Sequence, residues 1–408
     1  MRVLLVLLLL PSLLAAAPDW TQWRGPTRDG QVHAGAQPWP PRLEKDTLQP
    51  LWSVPLAEGY SSPVVSGSRV FTFETRNKKE EIVRAFDRKT GQPIWKASWA
   101  GSMKVPFFAR KNGSWVRSSP ACDGTTLYVG GMRDVLVALD VATGKERWRT
   151  DFPQADGTAK PQFGFVCSPL LGPDHLYVQA GSALRKIRKS DGKTIWKALE
   201  DDRAMFGSAF SSPVRARIHG RDQVVVQSRM ALGGVDPGTG TLLWSTPVKA
   251  SRGMNILTPT VLGNDLFTAS YGGGSFYFRI SPGNGVQSVD LVWNDKLEGY
   301  MSSPVVIGGK LYLHARDKRF HCLDPATGRI LWSTEQTFGA YWSMVVNGTR
   351  ILALDERGEL LLIEADPAGF QLIDRLDLDR PPTWAHLAVC GKELYIRDLT
   401  GLTVYRWN

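Results

Sequence analysis

The 408-residue sequence contains few of the motifs that mark catalytic or metal-binding proteins. Its four cysteines form no CxxC pair, no CxxCH haem-attachment site and no adjacent Cys–Cys pair. Its six histidines include no HExxH and no close metal-binding spacing. A Walker loop, a GxSxG elbow and a GxGxxG dinucleotide fingerprint are also missing, so nothing here supports the nucleotide-binding and hydrolase classes that those motifs identify.

Long hydrophobic runs are absent beyond the first seventeen residues, so the sequence predicts no transmembrane helix. The leader combines Arg2, an apolar run over 3–14 and three alanines, which is the pattern of a secretory signal peptide. We expect residues 1–17 to be removed by cleavage near Ala16 or Ala17. Because no cysteine near the cleavage zone could carry a lipid, we expect an exported protein that is soluble in the periplasm or secreted.

The composition is that of an all-β protein, with 40 glycines for tight turns and 15 tryptophans. Cys122, Cys167, Cys322 and Cys390 fall in different repeats, so we expect small buried residues rather than disulfides. The formal net charge is +10. This charge favours an acidic partner or an acidic envelope polymer, or is simply solvated, and we expect no nucleic-acid partner.

A glycine-containing turn followed by an apolar strand recurs eight times, and most copies are preceded by Ser-Pro or Thr-Pro. Each copy predicts a strand, a tight turn and a second strand, because the glycine permits the positive φ of a hairpin turn. The turn glycines are Gly67, Gly124, Gly172, Gly220, Gly263, Gly308, Gly348 and Gly391. Repeats of 40–57 residues built of short strands are typical of propeller blades.

A second pattern, small-x-Asp-x-x-x-Gly-x-x-x-Trp, follows five of these hairpins, with Arg188 replacing the aspartate in the third copy. We expect the aspartate to accept backbone N–H bonds, the glycine to take a left-handed conformation and the tryptophan to cover the gap to the neighbouring blade. The residues of this frame are Asp87, Gly91, Trp95, Asp140, Gly144, Trp148, Gly192, Trp196, Asp236, Gly240, Trp244, Asp324, Gly328 and Trp332.

Counting these strands predicts an eight-bladed β-propeller of four-stranded antiparallel blades over residues 50–408. The chain opens with an unaccompanied outer strand at Leu51–Leu56 and ends with three strands in Trp384–Asn408. We expect the first fragment to complete the last blade, which leaves no open sheet edge. The Trp- and Pro-rich segment 18–49 precedes the ring, and we expect it to lie across the propeller, with an independent partner-binding arm as the alternative.

The repeated frame resembles the tryptophan-docking repeat of pyrroloquinoline quinone (PQQ) propellers. Residues 50–408 are similar to the PQQ-like repeat proteins related to the outer-membrane assembly lipoprotein BamB, although the lipidated cysteine is missing. The resemblance implies a non-catalytic scaffold or ligand-binding module of the bacterial envelope, for which we expect no cofactor. The alternative is a periplasmic quinoprotein alcohol or sugar dehydrogenase using PQQ and Ca²⁺, whose adjacent cysteines and Glu/Asn/Asp calcium ligands we cannot place here.

Segments that link each outer strand to the next inner strand gather at one end of a propeller, around the channel mouth, where ligands bind. Here they are rich in aromatic and basic residues, which are enriched in binding hot spots, although the rings could equally plug the core. The candidate binding residues are Tyr60, Arg110, Trp115, Arg117, Phe163, Arg252, Asn255, Tyr300, Tyr341, Trp342, Trp384 and His386. The longest linker, Gly101–Arg117, is interpreted as a lid, a partner contact or a solvated loop. We expect a monomeric propeller that binds another envelope protein or an acidic envelope polymer.

Overall fold

The fold is a ring of eight four-stranded antiparallel sheets, as predicted. The computed structural model describes residues 19–32, 36–44, 46–201 and 209–407, so the predicted leader lies outside the described residues. Each hairpin turn carries its repeat glycine or a neighbouring polar residue, and Gly67, Gly124 and Gly220 have positive φ angles. This conformation is accessible to glycine without a steric penalty, which explains why the turn residue recurs.

The first strand, β1 (Leu48–Pro55), belongs to the last blade, and the blades that follow it are numbered in chain order. Blade 1 contains β2 (Val64–Ser66), β3 (Arg69–Arg76), β4 (Glu80–Asp87) and β5 (Pro93–Ala100). Blade 2 contains β6 (Ala121–Cys122), β7 (Thr126–Gly131), β8 (Val135–Asp140) and β9 (Glu146–Asp151). Blade 3 contains β10 (Leu170–Leu171), β11 (His175–Ala180), β12 (Ala183–Arg188) and β13 (Thr194–Ala198). Blade 4 contains β14 (Val214–Ile218), β15 (Arg221–Gln227), β16 (Ala231–Val235) and β17 (Leu242–Pro247).

The second half of the ring follows the same plan. Blade 5 contains β18 (Thr260–Leu262), β19 (Asp265–Ser270), β20 (Gly274–Ser281) and β21 (Ser288–Asp295). Blade 6 contains β22 (Val305–Ile307), β23 (Lys310–His314), β24 (Phe320–Leu323) and β25 (Ile330–Ser333). Blade 7 contains β26 (Trp342–Asn347), β27 (Arg350–Asp355), β28 (Glu359–Glu364) and β29 (Gln371–Asp377). Blade 8 contains β30 (Ala388–Cys390), β31 (Glu393–Arg397) and β32 (Gly401–Trp407). The short helices are α1 (Phe152–Asp156) and the 3₁₀ helices Phe107–Asn112 and Ser251–Gly253.

The ring is closed as the sequence predicts, because β1 pairs antiparallel with β32 as the fourth strand of blade 8. The pairing runs from Leu48 opposite Trp407 to Pro55 opposite Gly401. The strand begins three residues before the predicted start at Leu51, because Leu48 is buried in the same core cluster as Trp39. Pro50 is tolerated since it lies in an outermost strand, next to an irregularity in the register.

The core lies between neighbouring blades rather than in one central layer. The second strand of each blade is buried on both faces, and in β3 the six residues from Val70 to Thr75 are all buried. Phe71 and Phe73 of blade 1 share a cluster with Val129 of blade 2. Burying one such side chain contributes about 1.5–3 kcal/mol, so stacking the blades supplies most of the stabilisation. The four cysteines are free and buried, as predicted.

Tryptophans of the outer strands join most of the blades to the next one. Five indole N–H groups donate to backbone carbonyls of the following blade: Trp52 to Arg88 (2.9 Å), Trp95 to Val141 (2.9 Å), Trp148 to Lys189 (2.6 Å), Trp293 to Pro325 (2.7 Å) and Trp332 to Asp366 (2.8 Å). Four of these rings, those of Trp52, Trp95, Trp148 and Trp293, lie on the glycine of the neighbouring turn. A Cβ at Gly144 would lie 2.5 Å from the Trp95 ring, so the frame requires glycine for space as well as for its φ of 71°.

Two tryptophans depart from this arrangement. Trp196 lies against Gly240, but its indole nitrogen has no hydrogen-bond partner in the described part of the chain. Trp244 is buried and donates instead to Oε1 of Gln223 in its own blade, at 2.7 Å. The β20–β21 turn of blade 5 lacks the Asp-x-x-x-Gly frame, and its glycines, Gly283 and Gly285, do not lie against Trp244. Gln223 reaches that turn by donating to Gln287 at 2.6 Å.

A belt of hydroxyl groups runs round the inner ends of the blades. Four residues that precede a strand-initiating proline donate their backbone N–H to the hydroxyl of the equivalent residue in the next blade, and His386, which precedes no proline, donates to Ser62 in the same way. These bonds join Ser62 to Ser119 (3.0 Å), Ser119 to Ser168 (3.0 Å), Ser168 to Ser212 (2.9 Å), Ser212 to Thr258 (3.1 Å) and His386 to Ser62 (2.8 Å). The recurring Ser-Pro pair therefore links neighbouring blades through its serine and begins a strand with its proline.

Candidate functional site at the mouth of the channel

A cavity of about 170 Å³ lies at the mouth of the central channel. It is lined by at least one residue from the segment that leads into each of the eight blades. The lining residues are Trp23, Tyr60, Ser62, Ala109, Asn112, Arg117, Ser119, Phe163, Val166, Phe210, Met254, Ile256, Tyr300, Met301, Tyr341 and Trp384. Six of the predicted binding residues meet here, namely Tyr60, Arg117, Phe163, Tyr300, Tyr341 and Trp384.

The other six predicted residues lie elsewhere. Trp115 packs edge-on against Tyr60, behind the cavity wall, and Arg110 and Arg252 are exposed at the rim. Asn255, Trp342 and His386 are buried, with exposed fractions of 1%, 1% and 4%. Trp342 packs against Phe338 and stacks on His314, so it belongs to the core between blades 6 and 7. Because these three residues are buried, they cannot contact a ligand in the cavity directly. Their side chains pack against neighbouring parts of the ring instead of facing the mouth.

The cavity wall is aromatic on opposite sides of the mouth. Tyr60 stacks on Trp384, with ring centroids 4.8 Å apart. Phe163 contacts Phe210 at 5.3 Å, and both lie on segments that lead into blades 3 and 4. Burial raises the pKa of Tyr60 and of Tyr300, so both phenols stay protonated at neutral pH. The wall is therefore uncharged except at one position.

That position is Arg117. Its guanidinium lies over the Tyr60 ring at 5.6 Å and donates to the backbone oxygens of Gly113 (2.8 Å) and Asn112 (3.3 Å). Its Nε is buried without a hydrogen-bond partner. No described carboxylate forms an ion pair with Arg117, and no described lining residue is acidic. Burial lowers the pKa of this guanidinium, but an arginine stays protonated at neutral pH, so the cavity holds one cation without a counter-ion.

The floor of the cavity is formed by the N-terminal segment 19–32, which crosses the channel. Trp20 pairs with Val65 in blade 1 through two backbone hydrogen bonds of 2.9 and 3.0 Å. At the other end, Val32 and Gly30 pair with Val346 in blade 7. Trp23 faces the cavity at the mouth, so the segment is a floor between the two ends of the channel.

Two buried arginines hold this floor in place. Arg24 donates to the backbone oxygens of Pro304 (2.7 Å) and Asp29 (3.0 Å). Arg28 donates to those of Pro169 (2.7 Å) and Ser168 (3.1 Å). Both guanidiniums lie 5.6 Å from the Trp23 ring, and burial lowers the pKa of each to about 10.

A second cavity of about 250 Å³ lies on the far side of the floor. Arg24, Arg28, Asp29 and Gln31 line it, whereas Trp23 lines only the cavity at the mouth. The N-terminal segment therefore separates two spaces, and the cavity at the mouth is closed at its inner end. The sequence did not reveal this role of Trp23, although the run WTQWRGPTRDG contains two arginines close to two tryptophans.

His386 lies beneath the cavity, next to the floor. Its ring contacts Trp23 edge-on at 6.1 Å, and its Nδ1 bonds the backbone oxygen of Leu387 at 2.8 Å. Burial and the nearby charge of Arg24 lower the pKa of His386 to about 3. The imidazole is therefore neutral at physiological pH and acts as a packing and hydrogen-bonding group.

The rim of the mouth carries exposed aromatic side chains from the 3₁₀ helix Phe107–Asn112. Phe107 is 77% exposed and Phe108 is 42% exposed. Phe108 contacts Phe163 of the cavity wall at 6.2 Å and the Arg252 guanidinium at 5.4 Å. The apolar surface of the cavity thus continues outward onto the rim.

Comparisons with known proteins identify the family. The model of the family "outer membrane protein assembly factor BamB" matches residues 79–334, which is more than half of the chain. The chain belongs to this family. A BamB from Yersinia pestis is 25% identical over 280 residues, an alignment that covers 64% of this chain and 66% of that protein, just under two thirds.

Solved structures show the same fold. BamB from Moraxella catarrhalis superposes with a TM-score of 0.62 at 18% identity, covering 88% of this chain and 98% of that one. Quinohemoprotein alcohol dehydrogenase from Comamonas testosteroni superposes with a TM-score of 0.59 at 15% identity, covering 96% and 81%. Since both identities are below 25%, these superpositions establish the fold alone. The chemistry of the site has to be inferred from the residues of this chain.

The residues at the mouth do not fit a PQQ site with Ca²⁺. Calcium binds six to eight oxygen ligands, among which carboxylates are usual. The described lining residues of the cavity include no aspartate or glutamate, and the charged group present is the cation Arg117. Throughout the described ranges, no group of three or more His, Cys, Asp or Glu side chains is placed to hold a metal ion. Within those ranges, no helix is long and apolar enough to cross a membrane.

Proposed function

We propose that this chain is a non-catalytic scaffold propeller of the bacterial envelope that serves outer membrane protein assembly by holding another envelope protein against its channel mouth. Membership of the BamB family supports the envelope role. The observation that carries the proposal is the continuity of the aromatic cavity with the exposed Phe107 and Phe108 on its rim. Exposed aromatic clusters of this kind mark protein-binding surfaces, because they gain most from being removed from water.

The charge of the rim indicates the chemistry of the partner. Lys104, Arg110, Lys111 and Arg252 are exposed on the two linkers that carry the 3₁₀ helices. A basic rim around an apolar centre favours a partner whose contact surface is acidic at its edge and apolar in the middle, because such charges steer association. An acidic envelope polymer would use the cations but would leave the aromatic side chains exposed, so a protein partner fits better.

The cellular location of the proposed function follows from the predicted leader and from the family. The predicted leader over 1–17 directs export, and the family is described by a role in outer membrane protein assembly. We place the mature chain in the periplasm, where a monomeric propeller can reach the assembly machinery at the outer membrane. Its mouth, rather than the sides of its blades, would contact that machinery.

The test is chemical cross-linking of the full mature chain in intact envelopes of the source bacterium, with identification of the cross-linked proteins by mass spectrometry. We expect a subunit of the outer membrane protein assembly machinery, and loss of about 90% of it with the double variant Phe107→Ser, Phe108→Ser, since aromatic anchors dominate interface energies. The matched control is Val286→Ser, which changes a 68% exposed apolar residue on the β20–β21 turn.

Two results would contradict the proposal. Equal recovery of the partner by the double variant and by Val286→Ser would show that the mouth is not the contact surface. Dye reduction that depends on added PQQ, Ca²⁺ and an alcohol or sugar would show that the chain is a dehydrogenase.

A further inference from the structure

The cavity at the mouth has the volume of a site for one aromatic ring. Its volume of about 170 Å³ is close to that of an engineered apolar cavity of about 150 Å³ that binds benzene. Aromatic rings line it on opposite sides, through the Tyr60–Trp384 stack and the Phe163–Phe210 pair. Offset and edge-on contacts with such walls would hold a guest ring in a defined orientation.

Arg117 favours a ligand that carries a negative charge. The guanidinium has five N–H donors, and the structure pairs its Nη2 with two backbone oxygens while leaving Nε without a partner. A carboxylate is the partner that a guanidinium fork matches in shape as well as in charge. A cation lining an apolar cavity without an acidic neighbour is costly, and a bound anion would remove that cost.

The floor restricts which part of a chain can enter. Trp23 and the N-terminal segment close the inner end of the cavity, so a polypeptide cannot thread through the channel from this side. An aromatic residue at the C-terminus of a chain carries both its ring-bearing side chain and the free carboxylate on the same Cα, so both groups can enter the cavity together. An internal aromatic residue would bring two flanking chain segments into a space that holds one ring.

We propose that the cavity binds the C-terminal aromatic residue of a partner polypeptide, with the ring between Tyr60, Trp384 and Phe163 and the terminal carboxylate on Arg117. This proposal rests on the proposed function, for which it names the chemistry of the bound segment. The preceding residues of the partner pass over Phe108 and Phe107, whose exposed surface continues from the cavity wall. That continuity distinguishes a polypeptide from a free aromatic acid, which would leave the rim unused.

The test is isothermal titration of the full mature chain with a seven-residue peptide that ends in phenylalanine with a free carboxylate. We expect the amidated form of the same peptide to bind at least tenfold more weakly. Arg117→Met should weaken the binding of the free-acid peptide by the same factor, and it should abolish the difference in affinity between the free-acid and the amidated peptide. Arg117→Lys should recover part of the affinity, because it restores the charge without the planar fork.

The controls separate a binding effect from a structural one. Arg217→Met changes an exposed arginine on β14 that does not line the cavity, and it should leave both affinities unchanged. Thermal melting and circular dichroism of Arg117→Met establish that the ring is intact. Free phenylalanine and a peptide with its phenylalanine three residues from the end should both bind at least tenfold more weakly than the free-acid peptide.

Each contrary outcome has a definite meaning. Equal affinity for the acid and the amide, or for free phenylalanine and the peptide, would overturn the proposal. So would the absence of binding to all the peptides. The double variant Phe107→Ser, Phe108→Ser could still lose the cross-linked partner in envelopes while the peptides show no preference for the free acid. In that case the proposed function stands and only the inference about the C-terminal residue is wrong.

Discussion

Buried arginines make contacts of different reach at the two ends of the cavity. At the floor, Arg24 donates to Pro304, and Arg28 donates to Ser168 and Pro169, so both bind the floor segment to the ring. At the mouth, Arg117 also donates to two backbone oxygens, but both lie within its own linker, and its side chain faces an aromatic cavity that no described acidic residue lines. The floor arginines therefore hold separate parts of the structure together, whereas Arg117 joins no other blade, in keeping with the binding role proposed for the mouth.

The largest effect is expected from removing the strand that closes the ring. Deleting residues 18–56 removes the floor together with β1, and therefore the ladder to β32 and the docking of Trp52. We expect this chain to unfold or aggregate, because blade 8 is left with an open edge. Deleting only 18–36 removes the floor and keeps β1, which should lower the melting temperature by roughly 10 °C.

Thermal unfolding of both deletions beside the mature chain measures this. If the longer deletion melted within a couple of degrees of the shorter one, β1 would not be needed for closure. If the shorter deletion had the same melting temperature as the mature chain, the floor would add nothing to stability. The structural role assigned here to the floor would then be wrong.

A smaller effect is expected from Arg28→Met at the floor. The variant leaves the backbone oxygens of Ser168 and Pro169 without their donors in a buried site. Loss of two charge-assisted hydrogen bonds should lower the free energy of unfolding by about 2–4 kcal/mol. Urea unfolding monitored by tryptophan fluorescence gives this value. The exposed control Arg217→Met should change it by less than about 0.5 kcal/mol, and equal losses in the two variants would contradict the account.

The pH dependence of stability tests the surroundings of the floor. The folded pKa of His386, about 3, lies below its ordinary value of 6.5, so the folded state binds fewer protons than the unfolded state. Stability is then full above pH 6.5 and falls as the pH drops below it, by about 2 kcal/mol at pH 5. His386→Gln should reduce this fall. His314, whose pKa burial lowers to about 4, adds a component that the variant retains.

Melting curves between pH 5 and 8 measure this dependence. The control is His219→Gln at an exposed position in the β14–β15 turn. An unchanged slope in His386→Gln would show that this imidazole is already accessible to protons in the folded state, and that the floor does not seal it.

The number of blades could be predicted because the frame that sets it is local. Each Asp-x-x-x-Gly-x-x-x-Trp copy contains its own turn and the ring that covers the next blade, so five copies in register sufficed. The behaviour of Trp244 could not be predicted, because its copy is complete. What is missing is the Asp-x-x-x-Gly frame in the β20–β21 turn of blade 5, and the orientation of Trp244 depends on that distant segment.

The candidate site was predicted in position but not in detail. The linkers that carry Tyr60, Arg117 and Trp384 do meet at one cavity, because a propeller gathers equivalent segments at one end. Trp342, the first residue of β26, and His386, on the linker that leads into β30, turn into the core. Which way such a side chain turns depends on packing with the neighbouring blade, and the sequence pattern contains no measure of that packing.

The most direct test of the contrast between mouth and floor measures binding and stability together in Arg117→Met and Arg28→Met. We expect Arg117→Met to melt within roughly 2 °C of the mature chain, because the lost bonds to Gly113 and Asn112 lie within its own linker and hold no two blades together. It should nevertheless lose at least about 90% of the free-acid peptide binding, a tenfold change or about 1.4 kcal/mol. Arg28→Met should melt lower and bind within about threefold of the mature chain. A loss of stability in Arg117→Met equal to that in Arg28→Met, with peptide binding retained, would contradict the account.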